Sequence, residues 1–243
     1  MEYFGATHMG KVRKSNEDGF AILPLEQGRL LLILCDGMGG ENAGEVASGL
    51  VIGEMQKKAA KALKNVQTLK DARSALRSIL STANKLIYER SGKNEELRGM
   101  GTTAVAAYLL GQEMLFINVG DSRGYLIREG KAQQVTTDHS LVEEMIRQGV
   151  LTREESRNYP GRNMITMAIG TDPAVLPDSY ERILQPGDRV LLCSDGLTNM
   201  IEDERIAEIV EGAGSVQQAV EQLIEEANRN GGKDNITVIL FAY

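Results

Sequence analysis

Five aspartates, Asp18, Asp36, Asp121, Asp195 and Asp234, stand where apolar runs begin or end. Asp36 closes Leu30-Leu31-Leu32-Ile33-Leu34-Cys35 and opens Asp36-Gly37-Met38-Gly39-Gly40. Asp121 follows the run from Glu113 to Val119, Asp195 follows Arg189 to Ser194, Asp18 precedes Gly19 to Leu23, and Asp234 precedes Ile236 to Phe241. A carboxylate at the mouth of a buried strand is costly unless a basic group or a metal ion partners it. No Lys or Arg lies within five residues C-terminal to Asp36. Read alone, Asp36-Gly37 is equally a turn beside a helix start. If these strand ends meet at one edge, however, their like charges repel unless cations sit between them.

An all-oxygen cluster favours the hard ions Mg²⁺ or Mn²⁺, and a shared carboxylate can bridge two metals roughly 3.5–4 Å apart to activate a water. Two cysteines and two histidines scattered along the chain do not make a zinc site. Cys35 and Cys193 lie inside apolar runs and read as buried packing residues, with no electropositive loop to make either a nucleophile. Arg13, five residues before Asp18, offers a planar fork for a phosphate oxygen, whereas Lys11 and Lys14 offer point charges. The alternative for Arg13 is a surface pair with Glu17 or Asp18.

The elements that must position these residues follow from periodicity. Short β-rich runs are expected at Glu2 to Thr7, Gly19 to Leu23, Leu30 to Cys35, Thr102 to Leu110, Glu113 to Val119, Tyr125 to Ile127, Lys131 to Val135, Met164 to Ala168, Ser179 to Leu184, Arg189 to Cys193 and Ile236 to Phe241. Gln27-Gly28, Gly111-Gln112 and Glu129-Gly130 read as tight links. Helical spacing of apolar residues predicts one helix from Ala43 past Met55, with Lys57, Lys61 and Lys64 opposite its core face, and another from Asp71 to Ser91. Shorter helices are expected at Ser140 to Gln148, Thr152 to Asn158, Asp203 to Glu211 and Val216 to Asn230. The lysine stripe reads as solvated surface, with a docking face for an acidic partner as its alternative.

The 243 residues carry no internal repeat, low-complexity tract or linker, and read as a single domain, 1–243. With 42% apolar and 25% charged residues the composition is that of an ordinary globular protein. A net charge of −7 argues against nucleic acid or anionic membrane as partner. No apolar run approaches the roughly 20 residues of a membrane span, and Met1-Glu2-Tyr3 does not start a signal pattern, so a cytoplasmic address is expected.

Together, Arg13 with Asn16-Glu17-Asp18, Asp36-Gly37-Met38-Gly39-Gly40, Gly101-Thr102-Thr103, Val119-Gly120-Asp121-Ser122-Arg123, Asp138-His139-Ser140, Ser194-Asp195-Gly196 and Asp234-Asn235 resemble the type 2C metal-dependent protein Ser/Thr phosphatases, in particular compact bacterial members. The motifs occur in the family's order and span nearly the whole chain. The resemblance implies an α+β fold, a four-layer αββα sandwich of two packed, mostly antiparallel sheets flanked by helices. It implies two Mn²⁺ or Mg²⁺ ions. Asp36 would bridge them, Asp36 and the Gly37 carbonyl would hold one, and Asp195 with Asp234 the other. Asp121 with Asp195 would form a third, weaker site. Glu17 and Asp18 would orient metal waters from an outer shell, and Arg13 would bind the substrate phosphate. The metal-activated water would attack phosphorus in line, without a covalent phosphoenzyme.

The chain departs from the family pattern at Met38, where many eukaryotic relatives carry a histidine proposed as general acid. His139 is a candidate for that role by its chemistry, against an ordinary helix-start histidine. Residues 140–171 correspond to the family's flap, a place for substrate selection. The resemblance further implies phosphorylated proteins as substrates, a cognate transmembrane Ser/Thr kinase as partner, and a monomer. Two other classes compete: a catalytically silent phosphoprotein binder, which the full carboxylate set opposes, and a nucleotide-binding module. The glycines after Cys35 do not give G-x-G-x-x-G, and no G-K-[ST] occurs.

Overall fold

A computed structural model describes residues 1–39, 43–156 and 159–243. Gly40 of the glycine-rich motif and Asn158, the expected end of one helix, lie outside the described residues. In chain order the strands are β1 (Glu2–His8), β2 (Asp18–Pro24), β3 (Leu30–Met38), β4 (Gly101–Thr102), β5 (Ala104–Leu110), β6 (Glu113–Val119), β7 (Arg123–Arg128), β8 (Lys131–Gln134), β9 (Asp178–Ile183), β10 (Arg189–Cys193) and β11 (Ile236–Ala242). The helices are α1 (Ala43–Leu63), α2 (Leu69–Lys93), α3 (Leu141–Arg147), α4 (Arg153–Ser156), α5 (Asp195–Thr198), α6 (Asp203–Gly212) and α7 (Val216–Arg229).

One sheet runs β1-β11-β10-β7-β8 and the other β2-β3-β5-β6-β9, with β4 added beside β3. Every named pairing is antiparallel. The alternation of side chains along each strand sorts the core into layers. Leu30, Leu32 and Leu34 of β3 join Phe116, Val190, Leu192, Ile239 and Phe241 between the two sheets. Leu31, Ile33 and Cys35 of the same strand turn the other way, onto α1 and α2. Leu191, Cys193, Val238 and Leu240 do the same against α6 and α7. The result is the expected α+β, four-layer αββα arrangement. Each fully buried leucine stabilises it by about 1.5–3 kcal/mol.

Both cysteines are fully buried on the helix-facing sides of their sheets and unpaired. Lys57, Lys61 and Lys64 are exposed. Two expectations fail locally, and one element was not expected. Met164 to Ala168 forms no strand; it contributes only the isolated bridge Ser140↔Ile165, with Thr102↔Ile169 just beyond it. Its apolar residues do not share a face: Met164 is exposed and Ala168 is buried. The run from Thr102 to Leu110 is broken at Thr103, because its N–H (2.8 Å) bonds the Asp36 carbonyl and its hydroxyl (2.9 Å) accepts from the Asp36 N–H. The four-residue α5 directly after β10 carries no periodic signal in the sequence.

Candidate metal and phosphate site

The strand ends meet at one mouth of the sandwich. The register of β2 on β3 sets Asp18 opposite Asp36. The Asp36 backbone is held by Thr103 and by the Thr102 hydroxyl, which donates to the Asp36 carbonyl at 2.9 Å. Thr103 is in turn bonded to the Ser122 hydroxyl at 2.7 Å, next to Asp121. The β3 end is pressed against the start of α1: a Cβ added at Gly37 would lie 2.2 Å from the Gly44 carbonyl oxygen and 2.6 Å from that of Glu17. Only glycine permits that approach.

Asp195 sits where β10 turns into α5, and Asn199 one helical turn later donates to its Oδ2 at 2.9 Å. Asp234 immediately precedes the Asn235 that leads into β11. Its Oδ1 accepts from the Asn235 N–H at 2.9 Å and its Oδ2 from the Arg13 guanidinium at 2.7 Å. Arg13 therefore pairs with neither Glu17 nor Asp18, the surface alternative, but with a carboxylate 221 residues away. Asp18 Oδ2 accepts from the Thr237 (2.6 Å) and Ser194 (2.9 Å) hydroxyls, while its Oδ1 is buried without a hydrogen-bond partner.

The electrostatics confirm that these groups share one space. Burial pushes the Asp36 carboxyl well above the ordinary range, and the neighbouring charges of Asp18, Asp195, Asp121 and Asp234 add to it. Burial raises Asp18 to about 7, against the stabilising Thr237 and Ser194 hydroxyls. Asp121 rises to about 7, by burial and then by Asp195 and Asp138. Asp195 rises to about 6, by burial and then by Asp234, countered by Arg13, Arg123 and the Asn199 bond. Glu17 is raised by burial and partly relieved by Arg13 and the Gly44 N–H.

These residues fit hard divalent cations. The orphaned Asp18 Oδ1 and a set of carboxylates that stay protonated toward neutrality both mark a place short of positive charge. Among the described residues no three Asp, Glu, His or Cys side chains are grouped so that they could together hold a metal ion.

Sequence reasoning placed Thr103, Ser122 and Ser194 in motifs without giving them a role, and missed Thr237 and Asn199; these groups fix the carboxylates and the Asp36 backbone. The available signal was polarity at or inside apolar runs, since Thr237 interrupts β11 and Ser194 directly follows β10. His139 is not directed at the cluster. Its Nδ1 accepts from the Gly120 N–H at 3.1 Å and its Nε2 lies 3.1 Å from Asp178 Oδ2, so it braces the turn before Asp121. Beside Asp121 and Asp195 a groove of about 700 Å³ opens between the 140–163 segment and α5–α6, with Glu143, Arg153, Asn199 and Glu204 on its walls.

The sequence profile described as Protein phosphatase 2C matches residues 5–240. The serine/threonine phosphatase stp of Listeria monocytogenes is 37% identical over 234 residues, 96% of this chain and 92% of its own. Protein phosphatase PhpP of Streptococcus pneumoniae is 38% identical over 240 residues, 99% of this chain and 96% of its own. Among solved structures, the serine/threonine phosphatase of S. agalactiae superposes with a TM-score of 0.94 at 36% identity, covering 100% of this chain and 99% of that one. The catalytic domain of the serine/threonine protein phosphatase PstP, solved in complex with two manganese ions, superposes with a TM-score of 0.83 at 36% identity, over 98% of this chain and 96% of that one. Because the matched span contains every carboxylate described above, the chain belongs to the protein phosphatase 2C family.

Proposed function

We propose that this phosphoprotein phosphatase hydrolyses phosphoserine and phosphothreonine with two Mn²⁺ or Mg²⁺ ions held by Asp36, the Gly37 carbonyl, Asp195 and Asp234. Asp36 would contribute to both ions, and Asp121 with Asp195 would offer a third, weaker place. When bound, such ions lower the pKa of water and neutralise charge on phosphoryl oxygens. The observation that carries the reading is the convergence of Asp18, Asp36, Asp121, Asp195 and Asp234, each of the first four raised in part by its neighbours.

The chain's own groups do the positioning. Asp18, anchored by two hydroxyls, keeps Oδ1 for a water of the inner cluster, and Glu17 orients another. Arg13 leaves Asp234 to present its fork to the substrate phosphate, taking up charge that builds on the phosphoryl oxygens. No side chain in the site stands as a nucleophile, because Cys35 and Cys193 are enclosed and their thiols pushed upward by burial. Protonation of the leaving serine or threonine oxygen falls to solvent of the cluster, since Met38 cannot supply it and His139 is engaged elsewhere.

Residues 1–243 act as one phosphatase unit, supported by Arg13 and Asp234 meeting from opposite ends of the chain, and 140–171 act as a flap over the groove. Every proposed ligand comes from one chain, which supports a working monomer. Among the described residues no helix is long and apolar enough to cross a membrane. A cytoplasmic setting and a cognate Ser/Thr kinase with its targets as substrates rest on the family resemblance. The test is hydrolysis of a phosphothreonine peptide by metal-stripped protein, with and without Mn²⁺, beside Asp195→Ala. Turnover only with metal, lost in the variant, is expected. Metal and peptide binding without turnover would instead indicate a silent phosphoprotein binder.

A further inference from the structure

We propose that Asn235 is a positioning residue that suspends the phosphate-binding loop, residues 9–17, from the strand carrying Asp234, so that Arg13 is aimed by an amide clamp. The inference rests on Arg13 as the phosphate-binding residue. The side chain of Asn235 is buried and spends its hydrogen-bonding capacity on this loop. Its Nδ2 donates to the carbonyls of Met9 and Ser15, both at 2.9 Å, and its Oδ1 accepts from the Glu17 N–H at 2.9 Å. Both ends of the loop thus hang from one side chain.

The loop's ends have further ties, from the Gly10 N–H to His8 Nδ1 (2.9 Å), from Asn16 Nδ2 to the Thr7 hydroxyl (2.9 Å), and from the Gly37 N–H (3.1 Å) and the Ser48 hydroxyl (2.7 Å) to the Glu17 carbonyl, but its middle has few. Lys11 to Lys14 are exposed, and the Lys11 N–H bonds the Gly232 carbonyl at 2.7 Å. Gly10, at φ +82, lies so close to the Asp234 backbone that an added Cβ would come within 2.2 Å of its carbonyl oxygen. Arg13 then contributes only its ion pair with Asp234, with about half of its side chain open to solvent. An exposed ion pair is worth little by itself, about 0–1 kcal/mol, so it cannot hold the loop against thermal motion. Three partly buried bonds to one planar amide hold it better, because losing the amide leaves two carbonyls and an N–H without this partner at once. Adjacent residues of one strand entry therefore serve two functions, Asp234 toward cation and Asn235 toward the arginine that meets the phosphate.

The test is a double-mutant cycle on inhibition of the Mn²⁺-loaded enzyme by inorganic phosphate, using Arg13→Ala, Asn235→Ala and the double variant, with Mn²⁺ affinity measured by calorimetry. Arg13→Ala should weaken phosphate binding by about 10–100-fold, the loss of a charge-assisted hydrogen-bonding pair. Asn235→Ala should weaken it at least several-fold and raise KM more than it lowers kcat, with Mn²⁺ affinity nearly unchanged. In the double variant the Asn235 change should add almost nothing. Losses that multiply, or an Asn235 effect on Mn²⁺ alone, would overturn the clamp. An Arg13→Ala enzyme with normal phosphate inhibition would remove the Arg13 assignment and the clamp with it. If Asn235→Ala does not fold, Asn235→Ser with amide exchange of residues 10–17 supplies the same decision: exchange unchanged from wild type refutes it.

Discussion

Stripping the protein of divalent ions should invert the usual pH dependence of its stability. A carboxyl whose folded pKa is raised holds protons in the native state that the unfolded chain has already released, so stability falls as pH rises through the folded pKa. Asp18 and Asp121 are raised from 3.8 to about 7 and Asp195 to about 6, which places the fall between about pH 4 and 7. One such group contributes about 1.4 kcal/mol per pH unit in that window, or about 2–3 kcal/mol between pH 5 and 7. The groups repel one another, so their contributions do not simply add, and one group's worth is the conservative expectation. For a domain of this size it corresponds to a Tm about 5–10 °C lower at pH 7.5 than at pH 5 in EDTA. Saturating Mn²⁺ should abolish or reverse the slope, because the cations hold the carboxylates ionised. Thermal melts by circular dichroism from pH 5 to 7.5, with EDTA and with Mn²⁺, read this directly. A metal-free Tm that stays flat or rises across the window would refute the reasoning that these carboxylates share one under-neutralised space.

Asn199→Ala removes the amide on Asp195 Oδ2 and should cost about 10–100-fold in Mn²⁺ affinity with little change in Tm, measured by calorimetry. Asp138→Ala leaves the Arg123 guanidinium, now bonded at 2.7–3.1 Å to both Asp138 oxygens, without its anion, and should lower stability by about 3–5 kcal/mol in urea unfolding. Cys35→Ala and Cys193→Ala should each keep kcat within about twofold, and native protein should resist thiol reagents, since both sulfurs are enclosed. A tenfold loss of kcat in either variant would contradict the water-based mechanism.

What was legible in the sequence was whatever local periodicity or chemistry encodes. Glu113–Val119 and Arg189–Cys193 fall where their apolar runs end. Asp36 could be placed at a strand mouth because the apolar run Leu30 to Cys35 leads straight into it. The Arg13–Asp234 pair was not legible, since nothing local links residues 221 positions apart. Asn235 looked like one half of a motif, and only tertiary structure reveals that its amide spans Met9, Ser15 and Glu17. The expected strand at Met164 to Ala168 failed because composition alone does not supply a neighbouring ladder. α5 escaped notice because four residues, one of them glycine, have no helical signal of their own; it is set by its place between β10 and the site.

The pairing of β1 with β11, Glu2 opposite Ala242 through His8 opposite Ile236, bears on how the chain reaches its working form. Closing a contact over more than 230 residues is entropically late, and a topology dominated by such contacts folds slowly. Arg13 and Asp18 are synthesised long before Asp234 and the strand that pairs with β1. A chain interrupted anywhere before residue 234 therefore lacks the partner of β1 and the carboxylate proposed above as a cation ligand. On the assignment proposed above, the site is assembled only once β11 pairs with β1, so competence follows the formation of this strand pair.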